Sequence, residues 1–80
     1  MNSPFLGSFF KLHTDMEEWY RMAQQSDNEP WCYRYARNLS GNAALMANLS
    51  GSEHTARIYR SCAARWARIA RRHKETTRWS

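Results

Sequence analysis

Six arginines, Arg57, Arg60, Arg65, Arg68, Arg71 and Arg72, fall within sixteen residues. A guanidinium is a planar fork of donors. It grips phosphate oxygens or a guanine edge with paired hydrogen bonds, which an ammonium does not. The chemistry in reach is therefore anion binding. Other reactive types do not assemble. His13, His54, His73, Cys32 and Cys62 show neither Cys-x-x-Cys nor spaced His pairs, so no metal is expected. The three glycines stand singly and form no phosphate loop. Asp15, Glu17 and Glu18 read as the acidic start of a helix, not as catalytic acids. An 80-residue chain offers little room for a substrate pocket. The expectation is a non-enzyme with no cofactor.

The element that carries the arginines is the clearest in the chain. From Glu53 to Lys74 there is no Gly or Pro. At 100° per residue, Ala56, Ile58, Tyr59, Cys62, Ala63, Trp66, Ala67, Ile69, Ala70 and His73 fall in one half of the helical wheel. All six arginines fall in the other. His73, beside Trp66, reads as a core or interface histidine. Such a face can be merely solvated, can bind nucleic acid, or can lie on a membrane surface. Four of the ten residues on its apolar side are Ala, so membrane insertion would be weak, and no membrane partner is expected.

Upstream, residues 1–13 read as an irregular apolar arm with Phe5, Leu6, Phe9 and Phe10. Thr14-Asp15-Met16-Glu17 has the form of a capping box and predicts a helix over 15–25, with Met16, Trp19, Tyr20 and Ala23 on its inner face. Ser26-Asp27-Asn28 is turn chemistry, and Pro30 suits the first turn of a second helix, over 30–38. Its candidate core is Trp31, Tyr35, Ala36 and Leu39. Ser40-Gly41 predicts a break, and a short third helix follows over 42–49 with Leu45, Met46 and Leu49. Ser50-Gly51 breaks the chain again, and Ser52 is a good N-cap for the last helix. The expected fold is thus all-α: a single domain over 1–80, a bundle of four helices with a long Arg-rich fourth, a helical core over 14–74 and a tail over 75–80.

Composition agrees. Val is absent and Ile occurs twice, against ten Ala, which disfavours a sheet. Eleven aromatics support folding despite a mean hydropathy of −0.83. The formal charge is +5, but residues 1–40 carry −1 and residues 41–80 carry +6. An anionic partner for the second half follows. The opening apolar stretch lacks a preceding cation, with Lys11 after it, so it does not read as a signal peptide, and a cytoplasmic protein with reduced cysteines is expected. On count alone Cys32 and Cys62 could still pair.

Two resemblances bear on the partner. Residues 39–61, through Leu45, Leu49, Ser52, Thr55 and Ile58, resemble the helix-turn-helix of LuxR/FixJ-type output domains. Arg57 stands at that family's usual Lys and Tyr59 at its usual His. Gly51 and Ala56 depart from it, since larger apolar residues pack there. The resemblance implies double-stranded DNA as partner, with Glu53, His54, Arg57 and Arg60 at or near the groove. Residues 59–79, through Tyr59-Arg60, Ala63, Arg65-Trp66 and Ile69, are similar to PerC-like small regulators. That similarity also implies transcription regulation, by DNA or by protein contact.

The leading expectation is a small DNA-binding transcription regulator. Phosphates would be anchored by Arg57, Arg60, Arg65, Arg68, Arg71 and Arg72, and some bases read around Glu53 and His54. The alternative is a phage- or plasmid-type inhibitor or adaptor that docks an acidic surface of a partner protein through the same arginines. Phe5, Phe9 and Phe10 are expected at a protein interface, which includes a homodimer.

Overall fold

A computed structural model describes residues 5–77 of the chain. It contains α1 (Leu6–Gln25), α2 (Glu29–Leu49) and α3 (Glu53–Thr77), and no strand among the described residues. The all-α class holds; the expected count of four helices does not. Two expectations differ from the structure, the start of the first helix and the break in the second, and only the break changes the count; each has a physical reason.

The arm over 1–13 is helical from Leu6 onward. Phe5, Phe9, Leu12, Met16, Trp19 and Ala23 follow one another at alternating four- and three-residue steps, which is one helix face. That stripe carries the helix through Gly7. Thr14 therefore sits inside α1, and its hydroxyl donates to the Phe10 carbonyl at 3.1 Å instead of capping a helix start.

The second misreading is Ser40-Gly41, which does not interrupt α2. The Ser40 hydroxyl donates to the Ala63 carbonyl of α3 at 2.9 Å, so a residue that reads as a breaker serves as a contact between helices. The predicted helices over 30–38 and 42–49 are one element. Its start is as expected. Pro30 lies in the first turn, and Asn28 Oδ1 accepts from the Trp31 N–H at 3.3 Å.

The three helices run up, down and up. Ser40 meets Ala63, and Glu29 meets His73, so α2 and α3 are antiparallel along their length. Their seam is rich in small residues. Ala36, Ala43 and Ala47 on α2 and Ala56 and Ala70 on α3 are all buried, and small side chains let helix axes come close. Helix α1 packs antiparallel on another side of α2, with His13 against Asn42 and Trp19 against Tyr35. No Cα of α1 lies within 8 Å of one in α3. The described chain is accordingly long and thin, 45 × 19 × 13 Å.

One core cluster joins the layers. It comprises Met16, Tyr20, Ala23, Cys32, Ala36, Leu39, Trp66 and Ala70. Tyr20 spans the gap between the outer helices. Its ring meets Trp66 edge-on at 5.1 Å, and its hydroxyl lies 2.6 Å from His73 Nε2. Several expected core residues are exposed instead: Trp19, Trp31, Leu45 and Ile58.

The α1–α2 turn shows how tightly the chain reverses. The Asn28 N–H bonds the Ala23 carbonyl and the Asp27 N–H bonds the Gln24 carbonyl, the paired bonds of a Schellman cap. Asp27 takes the left-handed position, with φ 52°. A non-glycine residue there costs about 1–2 kcal/mol, somewhat less for Asp. Glycine gives back about 0.4–1 kcal/mol through the freer unfolded chain. The first term is larger. Asp27→Gly is therefore expected to raise the thermal midpoint by a few degrees, about 4–8 °C per kcal/mol for a domain of this size. A circular-dichroism melt checks it, and a lowered midpoint would show that the Asp27 side chain matters more than its backbone strain.

Candidate nucleic-acid interface

Helix α3 presents its cations to solvent. Arg57, Arg60, Arg65, Arg68, Arg71 and Arg72 are all exposed. The row from Arg57 to Arg72 is about 22 Å long at the helical rise of about 1.5 Å per residue. Carboxylates scarcely interrupt it. Arg60 Nη2 pairs with Glu53 Oε1 at 2.6 Å, two turns back on the same helix. The other five make no ion pair among the described residues. Seven cations against Glu53 and Glu75 leave α3 with a net charge of +5, which is the charge of the whole chain.

The Glu53–Arg60 pair alters two expected roles. Both residues lie on the exposed face, but each already holds the other, so neither is free for a base edge at no cost. His54 is exposed in the first turn of α3. Ser52 caps that turn, with its hydroxyl oxygen accepting from the Thr55 N–H at 3.4 Å.

The turn over 50–52 thus stands where the helix-turn-helix resemblance puts it. The helices around it are arranged differently. A helix-turn-helix crosses its two helices steeply. Here α2 is 21 residues long and folds back alongside α3, forming a helical hairpin. The second resemblance ends in Arg78 and Trp79, which lie outside the described residues.

Three residues join the basic face that the sequence did not suggest. Tyr33, Arg37 and Lys74, with Ser40, Ala67, Ala70 and Arg71, line a shallow groove of about 260 Å³ between α2 and α3. The Arg37 guanidinium donates to the Tyr33 hydroxyl at 3.3 Å. Cations rim the groove over an alanine floor, so its anion-binding character is shared by two helices. Only the antiparallel pairing brings residues 33 and 37 beside 70 and 74. That pairing was hidden while α2 read as two helices.

Phe5, Phe9 and Phe10 are not on this face. They belong to α1 and its start, with Phe5 and Phe10 exposed and Phe9 half-buried.

A second polar cluster joins all three helices. The Glu29 carboxylate lies 2.6 Å from His73 Nδ1, and His73 Nε2 lies 2.6 Å from the Tyr20 hydroxyl. With Nδ1–H donating to Glu29, Nε2 is the acceptor for the phenol. Carboxylate, imidazole and hydroxyl stand in the order of a nucleophile relay. Burial, however, pushes the Tyr20 phenol above its ordinary range, with Cys32 and Glu29 adding to that and Arg72 opposing it. A raised phenol is a poorer nucleophile at neutral pH, and Tyr20 lines none of the described clefts. The cluster is a clasp. Among the described residues no group of three or more His, Cys, Asp or Glu could hold a metal ion, and no helix is long and apolar enough to cross a membrane.

The raised phenol has a sign. The folded state favours the protonated form, so its contribution is fully present below the unfolded phenol's value of about 10 and is lost as pH rises through the higher folded value. Cys32, raised mainly by burial, acts in the same direction from a lower pH. Urea titrations from neutral to strongly alkaline pH should show stability falling. Tyr20→Phe should show a shallower fall on a lower neutral-pH baseline, about 1–3 kcal/mol down for the lost buried hydrogen bond. An identical alkaline slope in both proteins would contradict the assignment.

The chain matches no family model, no curated protein and no solved structure.

Proposed function

We propose that this protein binds double-stranded DNA through the arginine face of α3, holding the phosphate backbone, as a small regulator of transcription would. One observation carries the reading: five exposed arginines without ion-pair partners form one row along a single straight helix. Duplex DNA presents about one negative charge per 1.7 Å of axis, an evenly anionic surface that suits such a row. Docking to an acidic protein is the competing use. Protein interfaces place an aromatic or aliphatic core inside a polar rim. On the arginine face Ile58 alone is a large exposed apolar residue, in a cleft with Cys62, Arg65 and Arg68, while the others lie on α1 and α2 or at the start of α1. That contrast favours nucleic acid.

In this reading Arg57, Arg65, Arg68, Arg71 and Arg72 anchor phosphates. Arg37 and Lys74 extend the contact across the α2–α3 groove, and His54 stands at the end of α3 for base contact. The arrangement favours backbone holding over sequence reading, because most of the cations lie along the helix and not at its first turn.

Fluorescence anisotropy with a labelled duplex tests it. Five phosphate contacts predict that log K falls with log salt at a slope of about −4 to −5. Arg68→Ala with Arg71→Ala should reduce that slope by about two and weaken binding to unrelated duplexes alike. Arg60→Ala should do less, since Arg60 is held by Glu53. No binding to any duplex at low salt would overturn the proposal and leave the acidic-protein reading in its place.

A further inference from the structure

The groove between α2 and α3 gathers charge in a way the rest of the basic face does not. Tyr33, Arg37 and Ser40 follow one another at steps of four and three residues along one side of α2. Ala67, Arg71 and Lys74 do the same on α3. The antiparallel pairing turns these two files toward each other across a space of about 260 Å³, with Ala70 at its floor. The clefts at Arg65 and at Arg72 are lined by α3 alone. Among the described clefts, only the α2–α3 groove has cations of two helices on opposite sides.

Three cations stand there: Arg37 on one wall, Arg71 and Lys74 on the other. None has an ion-pair partner among the described residues. No carboxylate lines the groove. Glu29, one turn before Tyr33, is engaged by His73 at 2.6 Å, and Glu75 lies in the separate cleft with Arg68 and Arg72. The phenol adds another donor. The Tyr33 ring packs against the core, and its oxygen accepts from Arg37 Nη1 at 3.3 Å, which leaves its own proton for an acceptor in the groove. Ser40 is the exception, its proton committed to the Ala63 carbonyl. Like charges set side by side repel, and the described chain supplies no anion between them.

We infer that the α2–α3 groove is a binding site for a phosphomonoester, the doubly charged phosphate of a nucleotide or of a nucleic-acid strand end. Charge selects it. A monoester carries about −1.5 to −2 at pH 7, whereas an internal phosphate of a strand carries about −1. Three cations and a phenol proton match the larger charge and its three terminal oxygens, where an internal phosphate offers two. Size agrees. The groove is larger than one phosphate group, and the remainder lies over the methyl groups of Ala67 and Ala70, which suit the carbons of an attached sugar. With a strand end as the source, the inference rests on the DNA reading; with a free nucleotide it does not.

Calorimetric titration of the full chain with adenosine 5′-monophosphate tests it. One site per chain is expected, with an affinity about tenfold above that for the 5′-methyl ester, which keeps base and sugar and carries one charge less. Arg37→Gln with Lys74→Gln, both exposed, should lower the nucleotide affinity at least about tenfold with the helical dichroism unchanged. Lys11→Gln with Arg21→Gln removes as much charge from α1 and should leave the affinity within about twofold. Equal affinity for the monophosphate and its methyl ester overturns the inference. So does a loss of equal size from the two double variants, or no binding of the nucleotide. Competition then identifies the source. Duplex with 5′-phosphate ends that displaces the nucleotide better than duplex with 5′-hydroxyl ends assigns the groove to strand ends, and equal displacement assigns it to a free nucleotide. Binding of the hydroxyl-ended duplex reports on the α3 row alone, so a failure of the DNA reading shows separately.

Discussion

The arrangement of the whole molecule hangs on the Tyr20–His73–Glu29 clasp. Helices α1 and α3 do not approach each other through their backbones, so α2 alone would leave each free to pivot about it. The clasp takes one residue from each helix and sets a donor and an acceptor between α1 and α3 and between α3 and α2, each at 2.6 Å. Tyr20 adds ring contacts to Trp66 and His73, at 5.1 and 5.6 Å. A three-helix layer of this length has few other ways to bind its outer members. The clasp also settles direction. A hydrogen-bonded polar chain in a half-buried site admits one register, while an alanine seam tolerates several.

The clasp and the seam divide the labour. The α2–α3 seam is built from alanines, whose burial is modest per residue, and is closed by the Ser40–Ala63 bond. It must hold a helix whose outer face repels itself. Exposed like charges are screened over about 8–10 Å at ordinary ionic strength. The repulsion among Arg65, Arg68, Arg71 and Arg72 is thus local and weak in salt, and a small-residue seam suffices. An anion laid along the row removes what repulsion remains, so ligand binding at that face would stabilise the fold by linkage.

Legibility followed the strength of local patterns. Helix α3 was readable almost whole, because its apolar and cationic halves separate completely and Ser52 marks its start. The 26–28 turn was readable from Asp27, Asn28 and Pro30. The first half failed for opposite reasons at two places. At residues 6–13 a real apolar stripe was hidden by Gly7 and by a plausible capping box at Thr14, a box the longer helix overrides. At Ser40-Gly41 a real breaker signal was outvoted by packing: Ser40 gains a partner across the seam, and Leu39, Ala43 and Met46 are all buried on one continuous face. Propensity is a weak prior where tertiary contacts are this dense. The basic site divides in the same way. The six arginines belong to one helix and show in its periodicity, whereas Tyr33 and Arg37 join them only through a pairing of two helices that no local pattern encodes.

The merged α2 also changes what the turn at Ser50-Gly51-Ser52 means. Spacing alone fits a crossed helix pair whose second member offers its first turn to a groove. A helix of 21 residues behind that turn has more apolar length to bury than a crossing can cover. It lies down along α3 instead, and the two helices expose opposite surfaces. The side of α3 turned away from α2 becomes the cationic row, and the side of α2 turned away from α3 becomes one wall of the clefts it shares with α1. The cationic row and most of the large exposed apolar residues then fall on separate surfaces because α2 stands between them. A change in either surface leaves the other intact as long as Tyr20, His73 and Glu29 keep the three helices in register.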